Sequence, residues 1–365
     1  MITSKECRCR ELLLVMYMIA VVLLACQRQK PTADSILLIP SSSSRNSKSE
    51  TVDCPALLQE VRNGHRWDPN QGRIYARFTK LHPQFWISLH TFDYDKVRFG
   101  TLHWGKYYEK QLSKAFTEVL EQEPSGIVVD VGGNIGWFSI LSAALGHDVY
   151  TFEPNPTNVL RLCESICLNG WITCPTVGFL YSGDSNPHGT ISIHTLGLKD
   201  EAGSFWLEQN PFGFSTGAGK LVTKASNQSA SIEAKVVTLD QIADQLGWHG
   251  DIAALKVDVE GLEHEVIMGG TKLLASKRIK NVFTEGNVGE YHLRVKFLDL
   301  ARHLVGQGYV LHKLGGHMGP GRSALTDLPY SNALHVNYTK GILWGCRGFV
   351  NQGRSQCNLW WKLAT

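Results

Sequence analysis

The stretch Ile127-Val-Val-Asp130-Val-Gly132-Gly133-Asn134-Ile-Gly136-Trp-Phe-Ser-Ile140, continued by Val149-Tyr-Thr-Phe-Glu153-Pro154, decides the fold of this 365-residue chain. A short β-branched run ending in a glycine turn, then an amphipathic helix, then a second apolar run ending in a carboxylate, makes one βαβ half of a nucleotide-binding sheet. The glycine spacing limits the nucleotide. A G-x-G-x-x-G register would need its third glycine at Trp137 or Phe138, which disfavours a dinucleotide pyrophosphate. A tight D-x-G-x-N-x-G turn instead lets backbone approach a small zwitterionic ligand, and Glu153 can accept hydrogen bonds from two ribose hydroxyls. Those are the requirements of S-adenosylmethionine. The competing interpretation is a structural glycine turn with Glu153 as a solvated strand-end charge.

A second segment points at the same place. Leu255-Lys256-Val-Asp258-Val-Glu260-Gly261-Leu-Glu263 is an apolar run broken at its end by carboxylates and a glycine. Ligands of open α/β sheets bind beyond the carboxyl ends of the strands, so Asp258 and Glu260 are expected to face the crevice that holds Gly132 and Glu153. Lys256 precedes Asp258 by two residues and points the same way on a strand, which suits an ion pair or an acidic substrate.

Taken together, Val-Val-Asp130 through Ser139, Phe152-Glu-Pro-Asn-Pro-Thr-Asn158, Leu168-Asn-Gly, Leu198-Lys-Asp-Glu-Ala-Gly203, Val237-Thr-Leu-Asp240, Leu255 through Glu263 and Val282-Phe-Thr-Glu285 resemble the FkbM family of S-adenosylmethionine-dependent methyltransferases. The resemblance covers roughly residues 105 to 290. It implies a Rossmann-like doubly wound α/β sheet of the class I methyltransferase type, S-adenosylmethionine as cofactor, and a small-molecule or glycan acceptor, with O-methylation of a sugar as the expected reaction. In this scheme Asp130, Gly132, Gly133, Asn134, Gly136 and Glu153 hold the cofactor, and Asp200, after the third strand, approaches the adenine amino group. Asp258, Glu260 and Lys256 face the acceptor as the catalytic set, and no metal is called for. His264, one helical turn beyond Glu260, could hydrogen-bond to it. The Gly/Ser/Asn-rich segments 181–189 and 212–231 look like insertions.

Composition sets the outer bounds. With 43% hydrophobic and 19% charged residues the chain can bury a sizeable core, and a net charge of +3 with scattered Lys and Arg offers no basic stripe for nucleic acid. Leu12 to Cys26 is an uncharged, mostly apolar run flanked by Lys5, Arg8, Arg10, Arg28 and Lys30. It is short for a membrane span of about 20 residues but suits a signal-peptide core or a short signal anchor, and a cleavage site that would offer only Ala25 as a small residue favours a retained anchor. The organisation expected is a tail and membrane anchor (1–30), a serine-rich stem (31–55), an N-terminal β/α extension (56–122), the methyltransferase core (123–290) and a C-terminal completion of the sheet (291–365). This is a single-pass type II layout of the secretory pathway, and the sequons at Asn227 and Asn337 are compatible with it. Oligomeric state is not legible. Of nine cysteines, Cys163 and Cys167 read as small buried hydrophobes, Cys346 and Cys357 as a candidate disulfide, and Cys54 as a partner for something distant. The rival function is an anchored glycosyltransferase that uses Asp93-Tyr94-Asp95 to hold a divalent cation against a nucleotide sugar.

Overall fold

The computed structural model describes residues 51–95, 107–173, 188–208, 219–225, 231–287, 291–314, 325–326 and 356–364. Helix α1 (Cys54–Arg62) and strands β1 (Tyr75–Phe78) and β2 (Trp86–Leu89) precede α2 (Lys110–Gln122). Then come β3 (Ile127–Val131), α3 (Trp137–Ala144), β4 (Val149–Phe152), α4 (Pro156–Leu168), β5 (Ile191–His194), β6 (Gly197–Leu198), β7 (Gly203–Glu208), β8 (Lys220–Val222) and β9 (Ser231–Val237). The chain continues through α5 (Leu239–Leu246), β10 (Ile252–Val257), α6 (Glu263–Met268), α7 (Thr271–Ala275), β11 (Asn281–Asn287), α8 (Tyr291–Gly306), β12 (Tyr309–Leu314), β13 (Leu325–Thr326) and β14 (Gln356–Leu363).

The main sheet runs β13-β12-β14-β11-β10-β3-β4-β5. Strands β11, β10, β3, β4 and β5 are parallel, and β14 inserts antiparallel between β11 and β12. A parallel sheet must be covered on both faces, which explains why every residue of β10 is buried. One face packs against α1 to α4 through Leu58, Phe116, Ile140 and Leu162. The other packs against α5 to α8 through Ile242, Ile267, Leu274 and Leu304. The sheet is therefore doubly wound, as expected. From β3 the chain goes one way to β4 and β5 and later returns on the other side to β10, so the crevice opens beyond the carboxyl ends of β3 and β10.

The C-terminal part of the chain completes the sheet through β12 and β14. A second sheet, in the order β6-β9-β7-β8, packs beside the first, with β8 inside the segment 212–231. Phe205 and Leu207, and Ala234 and Val236, are buried while Glu233 and Lys235 are exposed, the period-2 signature of a half-buried strand pair.

The N-terminal extension docks on α4 through α1 and β2, while its helix α2 packs on the sheet, with the Phe116 ring 4.9 Å from that of Phe283. Cys54 is disulfide-bonded to Cys163, and Cys167 is also disulfide-bonded, so neither α4 cysteine is merely a small hydrophobe. Beside the first crosslink, fully buried Arg161 pairs with Asp68 at 2.6 Å and with Glu164 at 3.1 Å, and Ser165 Oγ accepts from the Ser88 amide at 2.9 Å. Burial pushes the Glu164 carboxyl up to about 7 against the pull of Arg161. The Cys54–Cys163 bond closes a loop of sequence separation 109. Cys54→Ser is expected to lower unfolding stability by about 2–5 kcal/mol, read from the denaturant midpoint. An unchanged midpoint would show that the buried ion pairs hold the extension unaided.

The apolar run 12–26, both sequons and Cys346 lie outside the described residues. Among the described residues no helix is long and apolar enough to cross a membrane.

Candidate active site

A cleft of about 350 Å³ opens where the switch point was expected. Its floor is the glycine turn. Gly132 adopts φ +84°, and a Cβ there would lie 1.9 Å from the Asp258 carbonyl oxygen, so the ends of β3 and β10 touch only because this residue has no side chain. The amides of Gly132 and Gly133 both donate to the Phe152 carbonyl, at 2.9 and 3.1 Å, which ties the turn to the end of β4. Asn134, at φ +53°, then aims its amide at Glu153.

Glu153 is held from two sides. Its Oε2 accepts from the Asn134 amide at 2.7 Å and its Oε1 from the Asn155 amide at 2.8 Å. Asn155 also caps α4 by accepting from the Thr157 amide, so the carboxylate sits at a helix N-terminus, where negative charge is favoured. Glu153 lines the cleft, and a carboxylate oxygen can accept more than one hydrogen bond. A fixed acceptor pair beside a backbone turn fits a ribose diol and a small zwitterion. Next to it, Leu196, Gly197, Leu198 and Leu221, contributed by the second sheet and the segment leading into it, form an apolar wall suited to a purine face. Residue spacing carries no direct sign of that wall.

Three expected cofactor residues do not line the cleft. Asp130 is 1% exposed and does not line the cleft; its Oδ2 accepts from Ser139 Oγ at 2.6 Å, and its charge faces Lys256. Burial pushes its carboxyl up, against the opposing pull of Lys256 and Ser139. Gly136 begins α3 at φ +90°, where a Cβ would lie 2.1 Å from Leu162 Cδ1, so its smallness lets α3 pack on α4. Asp200 is exposed and paired with Lys199 at 2.7 Å, away from the cleft lining. Gly132, Gly133, Asn134 and Glu153 do line the cleft.

The opposite wall is acidic. Asp258, Glu260, Glu109 and Glu285 line it with a single lysine, Lys256. Lys256 is 4% exposed, its Nζ lies 3.0 Å from Asp258 Oδ2 and 4.7 Å from the Phe138 ring centroid. Burial works against its charge, but Asp258, Asp130 and Glu109 outweigh it and hold the ammonium above the usual lysine range. Glu260 takes φ +56° and Gly261 φ +101°, a tight turn pinned by Glu263 Oε1, which accepts from the Val259 and Gly261 amides at 3.0 and 3.1 Å. His264 does not reach Glu260; its Nε2 lies 3.1 Å from Asp299. Glu285, quoted above only as part of the resemblance, is a site residue that the sequence did not single out. One carboxyl oxygen each of Asp258, Glu263 and Glu285 lies within 4.8 Å of the other two. Asp93 is exposed, Asp95 is buried, and neither lines this cleft.

Comparison with known proteins agrees with this geometry. The model of the methyltransferase FkbM domain matches residues 130–311. Hexuronic acid methyltransferase AglP of Haloferax volcanii is 29% identical over 159 residues, which are 43% of this chain and 54% of AglP, so the chain spans about half the length of that curated relative. Among solved structures, precorrin-6y C5,15-methyltransferase of Geobacter metallireducens is 10% identical with a TM-score of 0.26, covering 57% of this chain and 81% of that one. A methyltransferase-like protein of Burkholderia thailandensis bound to S-adenosyl-homocysteine is 12% identical with a TM-score of 0.28, covering 70% and 76%. Both scores are too low to carry argument. The family match begins at the carboxylate of β3 and runs into β12, so it takes in the glycine turn, Glu153 and the acidic wall except Glu109. Over residues 130–311, about half its length, this chain belongs to the FkbM methyltransferase family.

Proposed function

We propose that this protein methylates a hydroxyl of a sugar or glycan with S-adenosylmethionine as donor. The observation that carries the proposal is that one cleft holds both Glu153, clamped by two amides beside the glycine turn, and the Lys256–Asp258 pair at the end of β10. A sugar acceptor is supported by the hexuronic acid named for the Haloferax volcanii relative and by the acidic wall, since carboxylates accept hydrogen bonds from hydroxyls. The donor supplies an electrophilic methyl on a sulfonium: the oxygen–carbon bond forms as the carbon–sulfur bond breaks with its electron pair passing to sulfur, and one proton leaves the oxygen. The chain contributes mainly position. Glu153 and the Gly132–Asn134 turn fix the donor side, and Asp258 and Glu260 orient the hydroxyl and take up its proton late, because a carboxylate is a weak base for an alcohol.

Calorimetry with the full chain tests the donor half. We expect binding of S-adenosylmethionine or its demethylated product, weakened in Glu153→Ala by about 1.5–3 kcal/mol, or roughly tenfold to hundredfold. No binding to the unmodified chain, or equal binding to the variant, sinks the assignment.

The disulfides support an oxidising compartment, which agrees with the run 12–26 acting as an anchor of a luminal enzyme. In intact microsomes the folded part should resist added protease until detergent is present; digestion without detergent would reverse the topology.

A further inference from the structure

Glu285 lies near the end of the central strand β11 and lines the cleft, yet its surroundings do not favour a charge there. Asp258 and Glu260 face it from the end of β10, Glu263 from the start of α6 and Glu109 from the entry to α2. The antiparallel neighbour β14 places uncharged Asn358 opposite it, and α8 contributes the Phe297 ring against the adjacent Gly286. Among the described residues the cation beside the cluster is Lys256, already 3.0 Å from Asp258. Three carboxyl groups with oxygens within 4.8 Å of one another, beside one ammonium among the described residues, cannot all hold full charge in a half-buried cleft. Carboxyl groups so placed share protons and titrate as a unit.

We infer that Glu285 is a positioning residue for methyl transfer: it stays a neutral carboxylic acid at working pH and donates a hydrogen bond within the Asp258–Glu263–Glu285 cluster. The inference rests on the methyltransferase function proposed above. Lys256 favours Asp258 as the ionised member, and the Glu285 proton removes the repulsion that a further carboxylate would impose. Asp258 is then held in one orientation by Lys256 on one side and an O–H donor on the other. Its charge stays available to accept the proton that the acceptor oxygen gives up, one per methyl transferred. Burial first, and then the surrounding carboxylates, push the Glu285 carboxyl up to about 10, which agrees with this arrangement.

The test compares the full chain with Glu285→Gln and Glu285→Ala. Infrared difference spectra at about pH 8, far above the ordinary glutamate pKa of about 4.3, should show a protonated-carboxyl C=O stretch in the unmodified chain that Glu285→Gln lacks. This measurement needs neither donor nor acceptor, so it stands even if the methyl acceptor is misassigned. In the methyl-transfer assay Glu285→Gln should stay within roughly threefold of the unmodified rate, because a neutral amide keeps a donor in place. Glu285→Ala should lose about tenfold, the worth of one hydrogen bond of about 1.4 kcal/mol. The unmodified enzyme should also lose rate as pH rises through the Glu285 pKa, and Glu285→Gln should not. Absence of the band, a Gln variant as impaired as the Ala variant, or a rate abolished by chelator and restored by a divalent metal would each overturn the inference, the last by showing that the cluster holds a cation in place of a proton.

Discussion

Gly132→Ala is expected to cost both the fold and the cofactor site. The added Cβ would meet the Asp258 carbonyl oxygen at 1.9 Å, and that oxygen belongs to backbone, so no rotamer change relieves the contact. The residue also sits at φ +84°, where a side chain costs about 1–2 kcal/mol, on top of about 1–3 kcal/mol for overpacking. The ends of β3 and β10 must part, and the turn that carries the Gly133 and Asn134 amides moves with them. Denaturant unfolding should show a loss of roughly 2–5 kcal/mol, and calorimetry on the fraction that folds should show weakened donor binding. Gly136→Ala is the control. Its φ of +90° brings a similar backbone penalty, but the nearest atom is Leu162 Cδ1, the end of a side chain that can shift, and the residue does not line the cleft. It should lose stability yet bind donor normally once folded. Undiminished donor binding by Gly132→Ala would remove the glycine turn from the cofactor site.

The same pair of glycines shows what the sequence could and could not convey. The places of Gly132, Glu153 and Asp258 at the cleft were legible because they follow from short-range backbone geometry and from the rule that ligands sit beyond strand ends. Gly136 and Asp130 lie in the same motif, but one makes room for Leu162 and the other is buried against Ser139. Residue type and spacing do not distinguish a ligand contact from a packing contact one layer below it. Asp200 lies away from the cleft lining for a different reason: its neighbour Lys199 pairs with it locally, and the Leu196–Leu198 segment lines the cleft there. Long-range pairings left no trace in spacing at all. Cys54 meets Cys163 across 109 positions, and Glu285 joins Asp258 and Glu263 only because β11 lies beside β10. The second sheet had a visible period-2 signal at Phe205 and Leu207 and at Ala234 and Val236, but the Gly/Ser/Asn-rich segments around it hid that signal.

Asp258→Asn should lower the methyl-transfer rate while leaving donor affinity intact. The side chain and the backbone of this residue do separate jobs. Its carbonyl oxygen is the atom packed against Gly132, and its amide donates to the Val131 carbonyl at 3.0 Å, so the donor turn is held by parts that the substitution keeps. The carboxylate, by contrast, faces the acidic wall with Lys256 Nζ at 3.0 Å. Asparagine preserves size and an acceptor oxygen but cannot take a proton, so whatever the charge contributes to the transition state is lost. Groups that accept or deliver protons in this way contribute about 10²–10⁴-fold. Lys256→Met should also slow transfer, because it leaves the Asp258 charge without its cation in a cleft already lined by Glu109, Glu260 and Glu285. If the two residues act as a pair, the double variant will be impaired by much less than the product of the single effects. Saturating donor and a rate measured at varied acceptor separate the possibilities. A drop confined to the rate places Asp258 on the acceptor side, whereas a main defect in donor binding would mean that its carboxylate belongs to the donor site and that the proton acceptor must be sought at Glu260.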